Sequence, residues 1–319
     1  GHGKQEIDRP GKSDTGNGTR ECMKIVVFMS NPRKNGYTQY ITDIVVKGAV
    51  EAGADVETID LTSCEIGECI GCYRCWTVTP GVCFMNDDTK QLLEKFLSSD
   101  CILFSTPLYH YSMSSAMKRF IERTLPLTKQ GFEWARSGCM RNRIRYPDRW
   151  NKKIGYIVAG AFKDRENYTA IEKNFELLAD GLDCVLCAGL IRPESYLLQF
   201  ELAKPKTVKT VETALQQAGI ELATAGVVSP ETQEKVALPI AVDMHHFRLY
   251  STIYWEHAFA MGKDAADLSA VQRNVVTDVR ILMHEMARSI DPVANAKMRC
   301  SLQFDFTHKD IHFRINIDH

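Results

Sequence analysis

Five short strand-like segments, four of them apolar runs, alternate with longer segments of helical periodicity, and this alternation constrains the fold more than any other feature. Such runs are typical of buried strands, and the segments between them are long enough to form crossover helices. Strands connected in this way pair in parallel, with helices on both faces of the sheet. The sequence therefore predicts an α/β three-layer sandwich with a five-stranded parallel sheet, its strands beginning at Lys24, Val56, Cys101, Lys153 and Val185.

The same periodicity predicts the helices. A first helix ends at Gly53, and others are expected over residues 88–98, 114–123, 168–182, 206–218 and 231–241. Residues 126–152 carry many arginines and aromatic side chains without a clear period, which predicts a long loop. Its arginines are interpreted as a solvated basic surface, the alternative being contacts to nucleotide phosphates. They are Arg141, Arg143, Arg145 and Arg149.

A polar loop follows the first strand and opens into a helix, in the stretch Lys24-Ile-Val-Val-Phe-Met-Ser-Asn-Pro-Arg-Lys-Asn-Gly-Tyr-Thr38. At the carboxyl end of a parallel strand, such a loop directs backbone N–H groups and the positive end of the helix at one point, which favours an anion. Ser30, Asn35 and Thr38 supply short donors, Arg33 supplies charge, and Gly36 permits close approach. An ordinary strand-to-helix turn with incidental polar residues stays open.

Two missing motifs narrow the range of phosphate-bearing ligands that this loop could bind. The loop contains neither Gly-x-x-x-x-Gly-Lys-Ser/Thr nor Gly-x-Gly-x-x-Gly, which argues against a P-loop triphosphatase and a dinucleotide Rossmann site. A hydroxyl-rich loop suits a single terminal phosphate, as in flavodoxin-like proteins that hold FMN at the first strand.

Eleven cysteines are many for a chain in a reducing compartment, and their odd number does not suit a complete disulfide framework. Cys69, Cys72, Cys75 and Cys83 follow the spacing Cys-x2-Cys-x2-Cys-x7-Cys, from which four thiolates can converge on a [4Fe-4S] cluster. Structural zinc and a metal-free loop that is reduced or forms disulfides are the alternatives. Cys64 is a possible substitute ligand. Four others lie in strand-like runs and are interpreted as small buried hydrophobes: Cys101, Cys184, Cys187 and Cys300.

Three segments in order resemble the NAD(P)H-dependent FMN reductase family, over roughly residues 23–225. The loop from Ser30 to Thr38 resembles the family's phosphate loop. The segment from Cys69 to Cys83, followed by Asp87-Asp88, resembles the cysteine-rich loop of its iron-sulfur flavoprotein branch. The segment Thr106-Pro-Leu-Tyr-His-Tyr-Ser-Met113, with Lys118-Arg-Phe-Ile-Glu-Arg123, is similar to the flavin-ring loop and the helix after it.

The resemblance implies a flavodoxin-like strand order 2-1-3-4-5, FMN as cofactor and NAD(P)H as co-substrate. It implies that the FMN phosphate is bound by residues of the first loop, namely Ser30, Arg33, Asn35, Gly36, Tyr37 and Thr38. It also implies that the flavin ring lies beside the residues Pro107, Leu108, Tyr109, His110, Tyr111 and Met113, with Gly160 at the same edge of the sheet. Without the resemblance, aromatic packing within a loop is the simpler interpretation of Tyr109 to Tyr111. Hydride transfer needs no acid or base side chain, so no catalytic residue is assigned.

At 319 residues the chain exceeds one usual domain. We expect a flexible extension over residues 1–22, an FMN-binding domain over 23–225, a helical linker over 226–262 and a partial α+β domain over 263–319. The last segment weakly resembles the opening of sterol carrier protein-like domains, with two paired strands at 298–307 and 312–317. Histidines His245, His246 and His257 are interpreted as solvated or packing residues, because adjacent helical residues point apart.

These features predict an FMN-dependent NAD(P)H oxidoreductase that passes electrons to a quinone, a nitro or azo compound, or a redox partner. The alternative is an iron-sulfur flavoprotein that carries electrons to a protein partner, and a third hypothesis gives the C-terminal part a lipid-binding role. A net charge of −1 offers no reason to expect nucleic acid or an anionic membrane as partner. The chain lacks an apolar run long enough for a membrane span, so a cytoplasmic protein is expected. The resemblance implies a homo-oligomer, either a dimer or a tetramer.

Overall fold

The computed structural model describes residues 22–199, 205–241, 300–306 and 311–317, together with isolated positions between 243 and 259. The predicted extension, apart from Cys22, lies outside the described residues. So do residues 260–299, which form most of the predicted C-terminal domain, and His245, His246 and His257.

Five of the described strands form one parallel sheet. The strands are β1 (Lys24–Met29), β2 (Asp55–Asp60), β3 (Cys101–Pro107), β4 (Thr128–Trp134), β5 (Met140–Ile144), β6 (Lys153–Ala159), β7 (Val185–Arg192), β8 (Cys300–Phe306) and β9 (Ile311–Ile317). The parallel sheet has the order β2-β1-β3-β6-β7. Counted within that sheet alone, this is the order 2-1-3-4-5, so the flavodoxin-like fold is confirmed.

The described helices are α1 (Tyr37–Glu51), α2 (Arg74–Thr77), α3 (Thr89–Ser98), α4 (Ser115–Glu122), α5 (Thr169–Gly181), α6 (Pro205–Thr224) and α7 (Pro230–Val236). The predicted bounds of α3, α4 and α5 agree with these within one residue. Helix α6 continues six residues beyond the predicted end at residue 218, whereas α7 ends five residues before residue 241. Helix α2, a single turn inside the cysteine loop, was not predicted.

Two hydrophobic clusters lie on opposite faces of the parallel sheet. On β1, Ile25 and Val27 belong to one cluster, which includes side chains of α1 and α6. Val26 and Phe28 belong to the other, which includes side chains of α3, α4 and α5. Because successive residues of a strand point to opposite faces and both faces are covered, β1 is apolar and buried from Ile25 to Met29. The predicted three-layer sandwich is therefore confirmed. Of the cysteines predicted to be buried, Cys101, Cys184 and Cys187 are buried.

The contact between α1 and α6 is unusually close at two glycines. A Cβ added at Gly48 would lie within 3.0 Å of the Gln216 carbonyl oxygen, and one added at Gly219 would lie within 3.0 Å of the Val45 carbonyl oxygen. The two helix backbones therefore touch where neither residue has a side chain.

The prediction of a long loop over residues 126–152 is wrong. Strands β4 and β5 form an antiparallel hairpin there, closed by a turn in which the Ala135 N–H donates to the Cys139 carbonyl. The register shifts between Lys129 and Phe132, and Gly131 has a φ of +91°. This bulge interrupts the period-two alternation by which strands are identified, which explains why the sequence did not indicate the hairpin.

The C-terminal strands β8 and β9 pair antiparallel, with Cys300 opposite Ile317 and Phe306 opposite Ile311. Two paired strands were predicted in this part of the chain, and this is confirmed. The sterol carrier-like interpretation stays a prediction, because the rest of residues 263–319 lies outside the described part of the chain.

Lys152 gives a first testable prediction. Its side chain is 8% exposed, and Nζ donates to the carbonyls of Leu97 (2.8 Å) and Ser99 (2.5 Å) at the end of α3. A cation that satisfies the last carbonyls of a helix stabilises it. We expect Lys152→Met to lower the free energy of unfolding by about 2 kcal/mol in urea titrations. Lys90→Met, at an exposed position on the same helix, should change it by less than about 0.5 kcal/mol. Equal effects would contradict the capping role.

Candidate functional site

The loops that follow β1, β3 and β6 lie side by side at the carboxyl edge of the sheet. The Ser30 N–H donates to the Ser105 carbonyl (3.0 Å), and the Leu108 N–H donates to the Ala159 carbonyl (2.8 Å). The Gly160 N–H donates to the Arg192 carbonyl (3.1 Å) and continues the row. In open α/β sheets, ligands bind at this edge.

Ser30 ties the first two of these loops together. Its side chain is fully buried, and the Ser114 hydroxyl donates to both its Oγ (2.8 Å) and its carbonyl (3.1 Å). The Ser114 N–H in turn donates to Thr106 Oγ1 (3.0 Å). The side chain of Ser30, a predicted phosphate donor, therefore holds the loop after β1 in place. Its partner Ser114, which the sequence did not indicate, connects that loop to residues 106–113, called the ring loop below.

The helix N-terminus beside this loop is open. Gly36 occupies the N-cap position of α1 with an extended backbone, and no side chain caps the helix. The first turn contains no acidic residue. The N–H groups of Tyr37, Thr38 and Gln39 have no partners within α1, because the first turn of a helix leaves them without acceptors. An anion fits here, since the positive end of the helix dipole adds to these donors.

The other predicted phosphate residues surround this N-terminus. Arg33 and Asn35 are exposed, Asn35 has a left-handed φ of +63°, and Thr38 is buried. A Cβ at Gly36 would lie 3.3 Å from the Arg33 carbonyl oxygen, so the loop folds tightly against it.

Asn31 is a further polar residue of this loop, which the sequence motifs did not indicate. Its Nδ2 donates to the Arg33 carbonyl (3.0 Å), while its buried Oδ1 has no hydrogen-bond partner in the structure. A buried acceptor without a donor is unfavourable, and a ligand hydroxyl would satisfy it. The loop therefore offers one acceptor as well as several donors.

The ring loop is a tight turn with an unusual backbone. Tyr109 and Ser112 exchange two backbone hydrogen bonds of 2.8 and 3.0 Å. Between them, His110 and Tyr111 have left-handed φ values of +45° and +65°, which are strained for residues other than glycine. These three residues, Tyr109 to Tyr111, are exposed. Pro107 and Met113 are buried, and Leu108 packs against the core, so these three residues support the turn.

Phe162, from the loop after β6, stacks on Tyr111 with ring centroids 5.7 Å apart and planes 4° apart. Its carbonyl accepts hydrogen bonds from the Tyr168 hydroxyl (2.9 Å) and the Glu194 N–H (3.1 Å). A Cβ at Gly160 would collide with the Tyr168 ring. These contacts hold the loop in place, and it presents an aromatic surface at the same edge of the sheet as the open end of α1.

The four cysteines of the loop after β2 line one cavity of about 350 Å³, counting the part open to solvent. All four are reduced, and Cys75 is the most buried of them. Burial raises the pKa of the Cys75 thiol, and the nearby Cys83, Cys69 and Cys72 add to this effect. Left-handed φ values at Gly71 (+63°) and Tyr73 (+54°) bend the loop around the cavity.

The four thiols supply the donor types that an iron-sulfur cluster takes, but they would have to draw together around it. Among the residues that the structure describes, no three His, Cys, Asp or Glu side chains are grouped so that they could hold a metal ion. Cys64 lies apart from the cavity, with its Sγ 3.4 Å from the Asp60 carbonyl oxygen, so its role as a substitute ligand is not supported.

Comparison with protein families decides the assignment. The family described as NADPH-dependent FMN reductase matches residues 23–189, which is more than half of the chain. This chain belongs to the NADPH-dependent FMN reductase family.

Two proteins to which this chain is similar are described as iron-sulfur flavoproteins. One, from Archaeoglobus fulgidus, is 33% identical over 104 residues, or 33% of this chain and 46% of the relative. The other, from Methanocaldococcus jannaschii, is 28% identical over 158 residues, or 49% of this chain and 72% of the relative. The match to the first relative thus spans less than half of its length. Among solved structures, an FMN-dependent NADH-azoreductase from Bacillus anthracis in complex with FMN has 11% identity and a TM-score of 0.48, over 64% of this chain and all of the other.

A buried ion pair lies next to the cysteine cavity of this FMN reductase family member. Arg123 Nη1 is 2.7 Å from Asp87 Oδ2, and Nη2 donates to Asp87 Oδ1 at 3.1 Å. Burial tends to raise the pKa of Asp87, but the Arg123 guanidinium and hydrogen bonds from Gly67 and Thr89 outweigh this and bring it to about 2.

The low pKa of Asp87 predicts a specific sensitivity to acid. The folded protein binds this proton less readily than the unfolded chain, so the pair's stabilisation is complete above the unfolded pKa and is lost as the pH falls towards 2. We expect the wild-type protein to lose about 2 kcal/mol more than Asp87→Asn between about pH 5 and pH 2 in urea titrations. Asp55→Asn, at an exposed position on β2, should keep the wild-type slope. If the stability of Asp87→Asn fell with pH as steeply as that of the wild-type protein, the prediction would be contradicted.

The arginines of the hairpin segment do not form a free basic surface. Three of the four are engaged within the chain: Arg141 with Glu133 (3.1 Å) and Asp183 (2.7 Å), Arg145 with the Pro126 (3.0 Å) and Cys75 (3.4 Å) carbonyls, and Arg149 with Glu94 (3.3 Å). The interpretation as a solvated surface is corrected for Arg141 and Arg145, which are partly buried, whereas Arg149 is exposed. Contacts from these three arginines to nucleotide phosphates are not supported. Arg143 is exposed.

None of the described helices combines the length and the apolar composition that crossing a bilayer requires.

Proposed function

We propose that this chain is an FMN-dependent NAD(P)H oxidoreductase that passes electrons to a quinone, a nitro or azo compound, or a redox partner. The observation that carries the proposal is the uncapped N-terminus of α1, which opens at the same carboxyl edge of the sheet as an aromatic turn. Membership of the FMN reductase family supports it. When bound, FMN supplies the redox chemistry, taking hydride from the nicotinamide and delivering electrons onward.

The residues around α1 fit the phosphate and ribityl chain of FMN. The N–H groups of Tyr37, Thr38 and Gln39, which follow the N-cap Gly36, would hold the phosphate, with Arg33 and Asn35 at its exposed side. Ser30 keeps the loop in place through Ser114. The partnerless Oδ1 of Asn31 would accept from a ribityl hydroxyl.

The residues of the ring loop fit the isoalloxazine. Its edge would lie against the turn formed by Tyr109, His110 and Tyr111, which Pro107, Leu108 and Met113 support from beneath. Gly160 allows the neighbouring loop to approach closely. Because Tyr111 is already stacked on Phe162, this ring needs little ordering when the flavin binds.

A second function, electron transfer to a protein partner through a [4Fe-4S] cluster, is favoured by the cysteine cavity. Four reduced thiols lining one cavity are the donor set that such a cluster takes. The relatives described as iron-sulfur flavoproteins support the same proposal. Large exposed side chains border the loop, among them Ile70 (67% exposed) and Val78 (65%), and a docking partner would cover them.

The test is an anaerobic visible spectrum of freshly purified protein, with flavin and iron counted on the same sample. We expect about one flavin and about four irons per chain. Cys75→Ser should lose the iron and keep the flavin, whereas Cys139→Ser, at an exposed cysteine of the hairpin turn, should keep both. Flavin without iron would leave a two-electron reductase with a thiol loop. A protein that binds no flavin would overturn the main proposal.

We further propose that the protein is a cytoplasmic homo-oligomer, either a dimer or a tetramer. The odd number of cysteines, which does not suit a complete disulfide framework, supports a reducing compartment. Light scattering coupled to size-exclusion chromatography would give the mass, and a monomer would contradict the proposal.

A further inference from the structure

Arg123, which follows α4, has one of the two largest fully buried side chains of the described part of the chain, at 1% exposure. Arg123 lines the cysteine cavity together with the four cysteines. It also donates to the Gly67 carbonyl through Nη1 (2.7 Å) and pairs with Asp87. Burying an arginine is unfavourable unless it is paired, so its position at this cavity requires an explanation.

The ion pair is oriented. Arg123 borders the cavity, whereas Asp87 does not, so the pair presents its positive end to the four thiols. Nε of Arg123 is buried and has no hydrogen-bond partner in the structure. A Cβ at Gly67 would lie 3.4 Å from Arg123 Nη1 and 3.4 Å from Asp87 Oδ2, so the backbone packs directly on the pair and holds it in one geometry.

We propose that Arg123 is a positioning residue that holds a fixed positive charge at the cysteine cavity and thereby favours the reduced state of a cluster bound by the four cysteines. This inference rests on the cluster of the proposed function. Reduction adds one electron, delivered by the reduced flavin or by a chemical reductant, and forms or breaks no bond. In a low-dielectric cavity a nearby cation stabilises the added negative charge, and hydrogen bonds to the sulfurs act in the same direction.

The test is a redox titration of the anaerobic holoprotein with dithionite, followed by visible and electron paramagnetic resonance spectra. Arg123→Met removes the positive charge and should disfavour reduction about tenfold, which is about 59 mV for a one-electron couple. Arg123→Lys keeps the charge and should retain most of the wild-type potential. Asp87→Asn removes the negative end of the pair and should shift the potential in the opposite direction, towards easier reduction.

The opposite signs separate this role from a structural one, because loosening the loop would move both variants in the same direction. Iron content and melting temperature are measured on each variant. If Arg123→Met retains no iron, the potentials of Arg123→Lys and Asp87→Asn test the inference instead. Full iron with unchanged potentials, or shifts of the same sign, would overturn the inference. Loss of iron in all three variants would also overturn it, since the pair would then only hold the loop. A wild-type protein without iron would remove the proposed cluster, and the iron count shows this before any titration.

Discussion

Replacing Gly48 by alanine is expected to destabilise the parallel-sheet domain by about 3 kcal/mol or more, although alanine is the better helix former. The added Cβ would lie within 3.0 Å of the Gln216 carbonyl oxygen, an atom of the α6 backbone that no rotamer change can move. The helices would have to separate along their length, which would open the cluster that contains Val45, Ala214 and Leu215. Urea unfolding followed by circular dichroism would measure the loss.

Two further variants make this prediction specific. Gly219→Ala meets the Val45 carbonyl in the same crossing, so the double variant should lose less stability than the sum of the single ones. Gly181→Ala is the matched control, because Gly181 also lies in a helix but has nothing within 4 Å of an added Cβ. It should stabilise the protein by about 0.5 kcal/mol. Wild-type stability in Gly48→Ala would mean that α1 and α6 do not meet in this way.

The sequence predicted the parallel sheet because four of its five strands are largely apolar runs, the exception being the edge strand β2. Such runs reflect burial on both faces, which is a local property of the residues. Contacts such as Gly48 on Gln216 cannot be predicted in this way, because they depend on how two helices far apart in the chain pack together. The β4–β5 hairpin was missed for a different reason, since the bulge at Gly131 breaks the pattern within the strand itself.

The candidate site divides in the same way. Its loops could be predicted from motifs, since Gly36 and the cysteine spacing are visible in the chain. The partners that fix those loops could not. Ser114 reaches Ser30 from 84 positions away, and Arg123 reaches Asp87 from 36 positions away. Arg123 belongs to the motif Lys118–Arg123 that carries part of the family resemblance. Its burial beside Asp87 depends on the folded chain and could not be predicted from that motif.

Replacing Gly36 by aspartate is expected to weaken FMN binding about a hundredfold while leaving the apoprotein at least as stable. Aspartate is a better N-cap than glycine, and the extended backbone at Gly36 accepts it. Its carboxylate would accept hydrogen bonds from the Thr38 or Gln39 N–H groups at the start of α1. These are the groups that would hold the FMN phosphate, and a negative charge within about 4 Å of the phosphate opposes binding by several kcal/mol. Fluorescence titration of the apoprotein with FMN, alongside urea unfolding, would measure both effects.

Two substitutions at the same position separate charge from shape. Gly36→Asn has nearly the same volume and capping ability without the charge, so it should lose much less affinity than Gly36→Asp. Gly36→Ala adds only a Cβ, 3.3 Å from Arg33, and should change the affinity by no more than about threefold. Equal losses in the aspartate and asparagine variants would assign the effect to the occupied N–H groups rather than to repulsion. Unchanged FMN affinity in Gly36→Asp would mean that the N-terminus of α1 does not hold the phosphate, and the proposed flavin site would then have to lie elsewhere on this edge.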